Sequence, residues 1–184
     1  MAEPRDALTF DTNLLLEYWK DRPKKATVEE LLRLAERGEV ELAVTARIRE
    51  DVPADPLAAR LDQPPELRIK ETGSVARLDF WVLGRDQLGS DEFESLRLQL
   101  QSEWKPGNPR LPDWRDWDHL HAHMLQRRDV FLTWDKAILR LGPRLERFGI
   151  RIATPEQFLS ARGQAQPARD DLRTPDRQEK GSGP

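Results

Sequence analysis

Three aspartates stand where the chain changes from one local pattern to another. Asp11 closes the apolar run Ala7 to Phe10, Asp135 comes just after the β-rich run Val130 to Thr133, and Asp118 lies near the start of a helical pattern from Asp116 to Arg128. Glu50 and Asp51, a few residues beyond the alternating segment Val40 to Thr45, compete for a fourth place, and we favour Glu50. Carboxylates gathered in one crevice repel, so such a cluster needs a proton or a cation among its members. Mg²⁺ or Mn²⁺, held by oxygen ligands and waters, meets that need, and such ions polarise a phosphodiester and lower the pKa of an attacking water. Asn13 and Thr133 are uncharged neighbours able to orient a carboxylate or a metal-bound water. The expected chemistry is metal-assisted hydrolysis, with Asp11, Glu50, Asp118 and Asp135 as catalytic and metal-ligating candidates and Asn13 and Thr133 in support. Each acid also has a structural reading: Asp11 and Asp135 precede helices, where Asp caps N-termini, and Asp118 suits the positive end of a helix dipole.

The elements that must position these groups follow from the periodicities. Ala7 to Phe10 reads as a strand and the segment from Leu14 as a helix; Val28 to Arg37 is a helix, with Thr27 and Glu30 as a capping box and Gly38 as its C-terminal stop. Val40 to Thr45 alternates with period two, as a strand does, and a short helix through Glu50 precedes Pro53. Asp91 with Glu94 opens a helix to about Trp104, and Leu78 to Leu83 is a candidate extra strand. Val130 to Thr133 and Ile150 to Ala153 are further strands, and Thr154, Pro155 and Gln157 start a terminal helix. Strands separated by helices predict an α/β domain, a parallel sheet of four or five strands between two helical layers. Residues just beyond the carboxyl ends of such strands line the ligand crevice, which places Asp11 and Asp135 on one edge.

Composition narrows the remaining classes. The chain has 184 residues, no Cys, and 30 basic against 33 acidic residues, for a net charge of -3. Thiol nucleophiles, disulfides and Cys-ligated zinc are excluded, and the charge is not that of a polybasic nucleic-acid coat, although most of the basic residues are Arg, suited to phosphate. The longest run without Asp, Glu, Lys or Arg is His119 to Gln126, too short to cross a membrane, so a soluble, cytoplasmic protein is expected. No Gly-rich phosphate loop ending in Lys-Ser or Lys-Thr occurs. Residues 1–162 read as one domain, 72–115 as an elaborated or inserted part of it, and 163–184 as a disordered tail. His119, His121 and His123 read as structural more than as metal ligands, because positions two apart face different ways on a helix. Trp104, Trp114 and Trp117, interleaved with Lys105, Arg110 and Arg115, read as packing, with base stacking as the functional alternative.

The segments LTFDTN at Leu8 to Asn13, DWDHLHAHMLQRRDVFLTWD at Asp116 to Asp135, and IRIATPEQFL at Ile150 to Leu159 resemble the PIN-domain nucleases, including VapC-like stand-alone members. The resemblance implies an α/β fold whose acidic residues bind Mg²⁺ or Mn²⁺ and an endoribonuclease activity that leaves a 5′-phosphate and a 3′-hydroxyl. It maps Asp11, Asp118 and Asp135 onto the family's acidic positions, Glu50 onto the acid after the second strand, and Asn13 and Thr133 onto accompanying polar positions. The implied partners are single-stranded or structured RNA and, for a toxin of a toxin-antitoxin pair, an antitoxin protein; a homodimer is a further candidate. Trp134 stands where a smaller polar residue is common and is expected to narrow the substrate groove. The alternative is a PIN-fold module that binds RNA or protein without cutting it.

Overall fold

The computed structural model describes residues 5–52, 69–73, 90–103 and 110–165. Strands β1 (Asp6–Phe10), β2 (Val40–Thr45), β3 (Ile69–Thr72), β4 (Val130–Leu132) and β5 (Arg151–Ala153) form one sheet in the order β3-β2-β1-β4-β5. Every pairing is parallel. The expected α/β class is therefore what the chain adopts. Because it runs outward from β1 through β2 to β3 and then returns to the other side of β1 for β4 and β5, the winding direction reverses between β1 and β4. Ligands of open parallel sheets bind at such a reversal. Pairing Phe10 with Leu132 puts Asp11 opposite Thr133 there, and the Asp11 amide donates to the Leu132 carbonyl at 3.0 Å.

Helices cover both faces of the sheet because its strands alternate between two apolar cores. Leu8, Phe10, Val40, Leu42, Val44, Val130 and Leu132 point to one face, where they meet α1 (Thr12–Trp19), α2 (Lys25–Glu36) and α7 (Pro155–Ala165). Phe131 points to the other, where it joins Phe93, Leu96 and Leu100 of α4 (Asp91–Glu103), Trp117 and Leu120 of α5 (Trp114–Leu125), and Ile138, Leu141 and Leu145 of α6 (Lys136–Leu145). A short helix α3 (Ile48–Asp51) follows β2. On the α5 face β1 and β2 present Thr9 and Thr45, both fully buried. His123 Nδ1 meets Thr9 Oγ1 at 2.8 Å and His119 Nδ1 meets Thr45 Oγ1 at 2.5 Å. Two imidazoles one helical turn apart thus satisfy the hydroxyls of adjacent strands, which a purely apolar helix face could not do. His121 faces α4 instead, accepting from the Ser90 amide at 2.7 Å.

Several boundaries differ from expectation, and one matters for the site. α5 begins at Trp114, not at Asp116, because Asp113 caps it: Asp113 Oδ1 accepts from the amides of Arg115 and Asp116, and Asp116 Oδ2 accepts in return from the Asp113 amide. Asp116 therefore occupies the first turn and Asp118 the second. α2 starts at Lys25, so Thr27 lies inside it and is not its cap. Gly38 does stop that helix, at φ +72°, with its amide on the Ala35 carbonyl, and Thr154 and Gln157 exchange the expected reciprocal bonds before α7. Residues 163–165 belong to α7 and not to a tail. β3 was not expected, and the proposed strand Leu78 to Leu83 lies outside the described residues. Among the described residues, no helix is long and apolar enough to cross a membrane.

Candidate functional site

Asp11 occupies the N-cap position of α1 with extended backbone, yet its side chain makes no capping hydrogen bond. Its Oδ2 instead accepts from Asn13 Nδ2 at 2.6 Å and from Thr133 Oγ1 at 2.5 Å. Thr133 Oγ1 also lies 3.2 Å from Asn13 Nδ2 and accepts from the Asp135 amide at 2.8 Å. The two strand ends are thereby tied side chain to side chain, and Asn13 and Thr133 hold Asp11 as the sequence suggested. Asp135 does cap its helix: Oδ1 accepts from the amides of Ala137 and Ile138 at 2.5 and 3.2 Å. For this residue the structural role is real, and it coexists with a place beside Asp11, whose ionisation it opposes.

The acid that reaches this edge from α3 is Asp51. Its Oδ2 accepts from Thr12 Oγ1 at 2.5 Å and lies 2.7 Å from His119 Nε2. Thr45, His119, Asp51 and Thr12 form a continuous hydrogen-bonded chain from β2 to the start of α1. Glu50 turns away from it and pairs with Arg47, Nη1 to Oε1 at 2.9 Å. The fully buried Arg47 also places its Nε 3.4 Å from Asp118 Oδ2, with Asp118 almost completely buried. The expectation that Glu50 and Asp118 face Asp11 is therefore corrected: a guanidinium buried at the end of β2 takes both. A one-residue step along α3 and a two-residue step along α5 are enough to change the helix face. In their stead, Asp116 interacts electrostatically with both Asp11 and Asp135.

Charge at this edge is under strain. Burial pushes the Asp11 carboxyl above the usual range, and Asp51 and Asp135 add to it, while His119 and the Thr133 hydrogen bond oppose. Burial likewise raises Asp116 to about 7, reinforced by Asp113, Asp11 and Asp135 against the relief of its bond from the Asp113 amide. Burial disfavours charge on His119, but the hydrogen bond and charge of Asp51, with Asp11 and Asp116, overcome it and raise its pKa. The same burial would raise Asp51, and His119, Thr12 and Arg115 outweigh it, holding that carboxylate below its ordinary range. His119 and Asp51 thus sit as a close pair, each favouring the charged form of the other, among otherwise acidic groups. Among the described residues no three His, Asp or Glu side chains are gathered, as they stand, into a group that could hold a metal ion. The donor chemistry nonetheless fits a hard cation: the groups are oxygens, Asp11 and Asp116 are raised by burial and by neighbouring like charges, and Asn13 Oδ1 is buried with no hydrogen-bond partner among the described residues.

Other expected features divide. Trp134 does not narrow the crevice: its indole Nε1 donates to Glu156 at 2.9 Å, Lys24 lies over the ring, and the side chain packs on the α1/α2/α7 core. His121 and His123 are interior helix residues, and burial holds His123 at about 3, with Arg128 adding to the effect. The functional candidates that the sequence reading did not select are Asp116, His119 and Thr12, with Asp51 passed over for its neighbour. The chain matches no family model and no curated protein.

Proposed function

We propose that this chain is a metal-dependent ribonuclease of PIN type whose centre comprises Asp11, Asp51, Asp116 and Asp135, with Asn13 and Thr133 in support. The observation that supports it most is Asp11: a buried carboxylate at the winding reversal, turned away from its own helix and held by two uncharged side chains among like charges. Without a cation that arrangement costs free energy; with one the same repulsion becomes affinity. Asp11, Asp116 and Asp135 would hold Mg²⁺ or Mn²⁺, drawing together to do so, and Asn13 Oδ1 is positioned to orient a bound water. When bound, the ion supplies Lewis-acid polarisation of a phosphodiester and a lower pKa for the attacking water. The chain's own part is to fix Asp11 through Asn13 and Thr133 and to keep Asp51 ionised through His119 and Thr12.

The test is incubation with a mixed RNA pool, with Mn²⁺ and with chelator, comparing the unsubstituted chain with Asp11→Asn and Asp116→Asn. Metal-dependent cleavage lost in both variants supports the reading; cleavage that survives either substitution, or persists in chelator, overturns the assignment. The second reading, a PIN-like module that binds RNA or protein without cutting, is favoured by one feature. His119 already lies 2.7 Å from Asp51, and each favours the charge of the other, so part of the acidic edge has a partner within the chain. Binding of RNA without cleavage under any divalent ion would select it.

A further inference from the structure

Trp114 is one of only two exposed large hydrophobic side chains among the described residues, at 39%. Of the three tryptophans expected to cluster, Trp117 is core, edge-on to Phe93 at 5.6 Å, and Trp104 lies outside the described residues. Trp114 opens α5, two residues before Asp116, on the helix end that faces the acidic crevice. Its ring is not loosely placed. The Arg47 guanidinium lies over it at 4.3 Å, and Arg47 is itself immobilised by Glu50 and Asp118. The exposed Arg115 guanidinium lies 5.2 Å from the same ring, and its charge also acts on Asp51.

An exposed tryptophan is normally a cost to a soluble surface, and here a fully buried arginine is spent on fixing its orientation. A preorganised aromatic plane beside an exposed guanidinium is the pairing that single-stranded nucleic acids use, the ring stacking on a base and the Arg engaging the adjoining phosphate. A paired base in a duplex has no free face to offer. We propose that Trp114 is a stacking platform for an unpaired nucleobase of the RNA whose backbone enters the crevice, with Arg115 contacting that nucleotide's phosphate. This inference rests on the ribonuclease reading for the substrate class and adds to it the residues that recognise an unpaired base.

The test is binding, not cleavage. Fluorescence anisotropy of a labelled decauridylate is read with the Asp11→Asn chain in Mg²⁺, against the same background carrying Trp114→Ala or Trp114→Phe. A duplex and an abasic strand of equal length serve as controls. Trp114→Ala should weaken decauridylate binding about tenfold and Trp114→Phe by much less, while the abasic strand, which has nothing to stack, is unaffected. Equal affinity in Trp114→Ala, an equal loss on the abasic strand, an equal loss on the duplex, or no RNA binding by the parent would each overturn it. Should Trp114→Ala fail to fold, irradiation of the unsubstituted chain with a 5-bromouridine strand decides: an adduct on Trp114 supports the platform, and adducts only elsewhere refute it. Trp114-dependent binding without metal-dependent cleavage leaves the platform standing and removes the nuclease; cleavage with Trp114-independent binding does the opposite.

Discussion

Asp116 and Asp118 lie two residues apart on α5, about 200° around the helix from one another, and they meet opposite electrostatic fates. Asp118 is buried against Arg47, a cation that the chain carries into its own interior, and Glu50 shares that cation. Asp116 is half-buried beside Asp113, Asp11 and Asp135, with His119 of opposite sign also near it, and burial, reinforced by those like charges, drives its carboxyl up to about 7. The first neighbourhood is complete as folded. The second is complete only with a proton or an ion from outside. Burial alone therefore does not mark a carboxylate as functional; the sign of what surrounds it does.

If that contrast is right, the largest stability effect in the molecule belongs to the complete neighbourhood. Arg47→Met leaves Asp118 buried without its cation and should destabilise the fold by about 3–5 kcal/mol. For a chain of this size that lowers the thermal midpoint by roughly 6–20 °C, and the double variant with Asp118→Leu should regain most of it. A loss below about 1 kcal/mol would show that Arg47 is not what neutralises Asp118.

The incomplete neighbourhood should show the reverse pattern, in which chemistry suffers and stability does not. Asp11→Asn and Asp116→Asn should each lower metal-dependent RNA cleavage at least about 100-fold, since each removes charge that the transition state uses. Their thermal midpoints should match or exceed that of the parent above neutral pH, because the amide ends a repulsion while keeping the shape. A variant that loses activity and collapses together would make Asp11 a structural residue.

How much of this was legible beforehand follows the same division. The period-two segment Val40 to Thr45, the β-rich run Val130 to Thr133 and the caps at Gly38 and Thr154 are local signals, and the parallel sheet followed from them, whereas its strand order, with the reversal at β1 and β4, did not. Asp11, Asn13, Thr133 and Asp135 were found because a strand end fixes where its next residues point. Asp116 and Asp51 were passed over because their identity depends on helix phase. The reading of α5 began at Asp116 and so placed Asp118 in the first turn. The true cap, Asp113, lies behind Pro112 and forms its reciprocal box with Asp116, a short acid in place of the usual Glu or Gln. Choosing between Glu50 and Asp51 required knowing where His119 and Asp118 would be, and their contacts with Asp51 and Arg47 span the tertiary structure. His119 gave no usable sign at all: its role depends on Thr45, a strand residue far away in the chain.

A smaller effect separates the two neighbourhoods by pH. Asp116 has a folded-state pKa raised to about 7, so the stability it contributes is full below its ordinary value near 4 and is lost as pH rises through about 7. His119, also raised, acts in the same direction, whereas the lowered Asp51 contributes above its ordinary range and loses that contribution only as the solution turns acidic. The thermal midpoint should therefore fall from about pH 4 to about pH 7, and Asp116→Asn should flatten that slope. Saturating Mn²⁺ at the alkaline end should restore stability, about 2.7 kcal/mol at a hundred times its dissociation constant, in the parent but not in Asp11→Asn. A slope that Asp116→Asn leaves unchanged would assign the titration to Asp11 and His119, which are raised as well.

The smallest effect is expected from the residue that the sequence reading favoured. Glu50 is about one-third exposed on its side chain and shares Arg47 with the more deeply buried Asp118, so Glu50→Gln leaves that guanidinium a charged partner. We expect a stability change within about 1 kcal/mol and cleavage within about threefold of the parent. Asp51→Asn, one residue on, replaces an acceptor of both Thr12 and His119 and should cost more than tenfold in cleavage, about the price of disturbing an outer-shell partner. Measured side by side, the two variants test whether a single step along α3 carries a carboxylate from one neighbourhood into the other. A Glu50→Gln loss as deep as that of Asp116→Asn would mean that Arg47 belongs to the reaction centre too, and the two neighbourhoods would then be one.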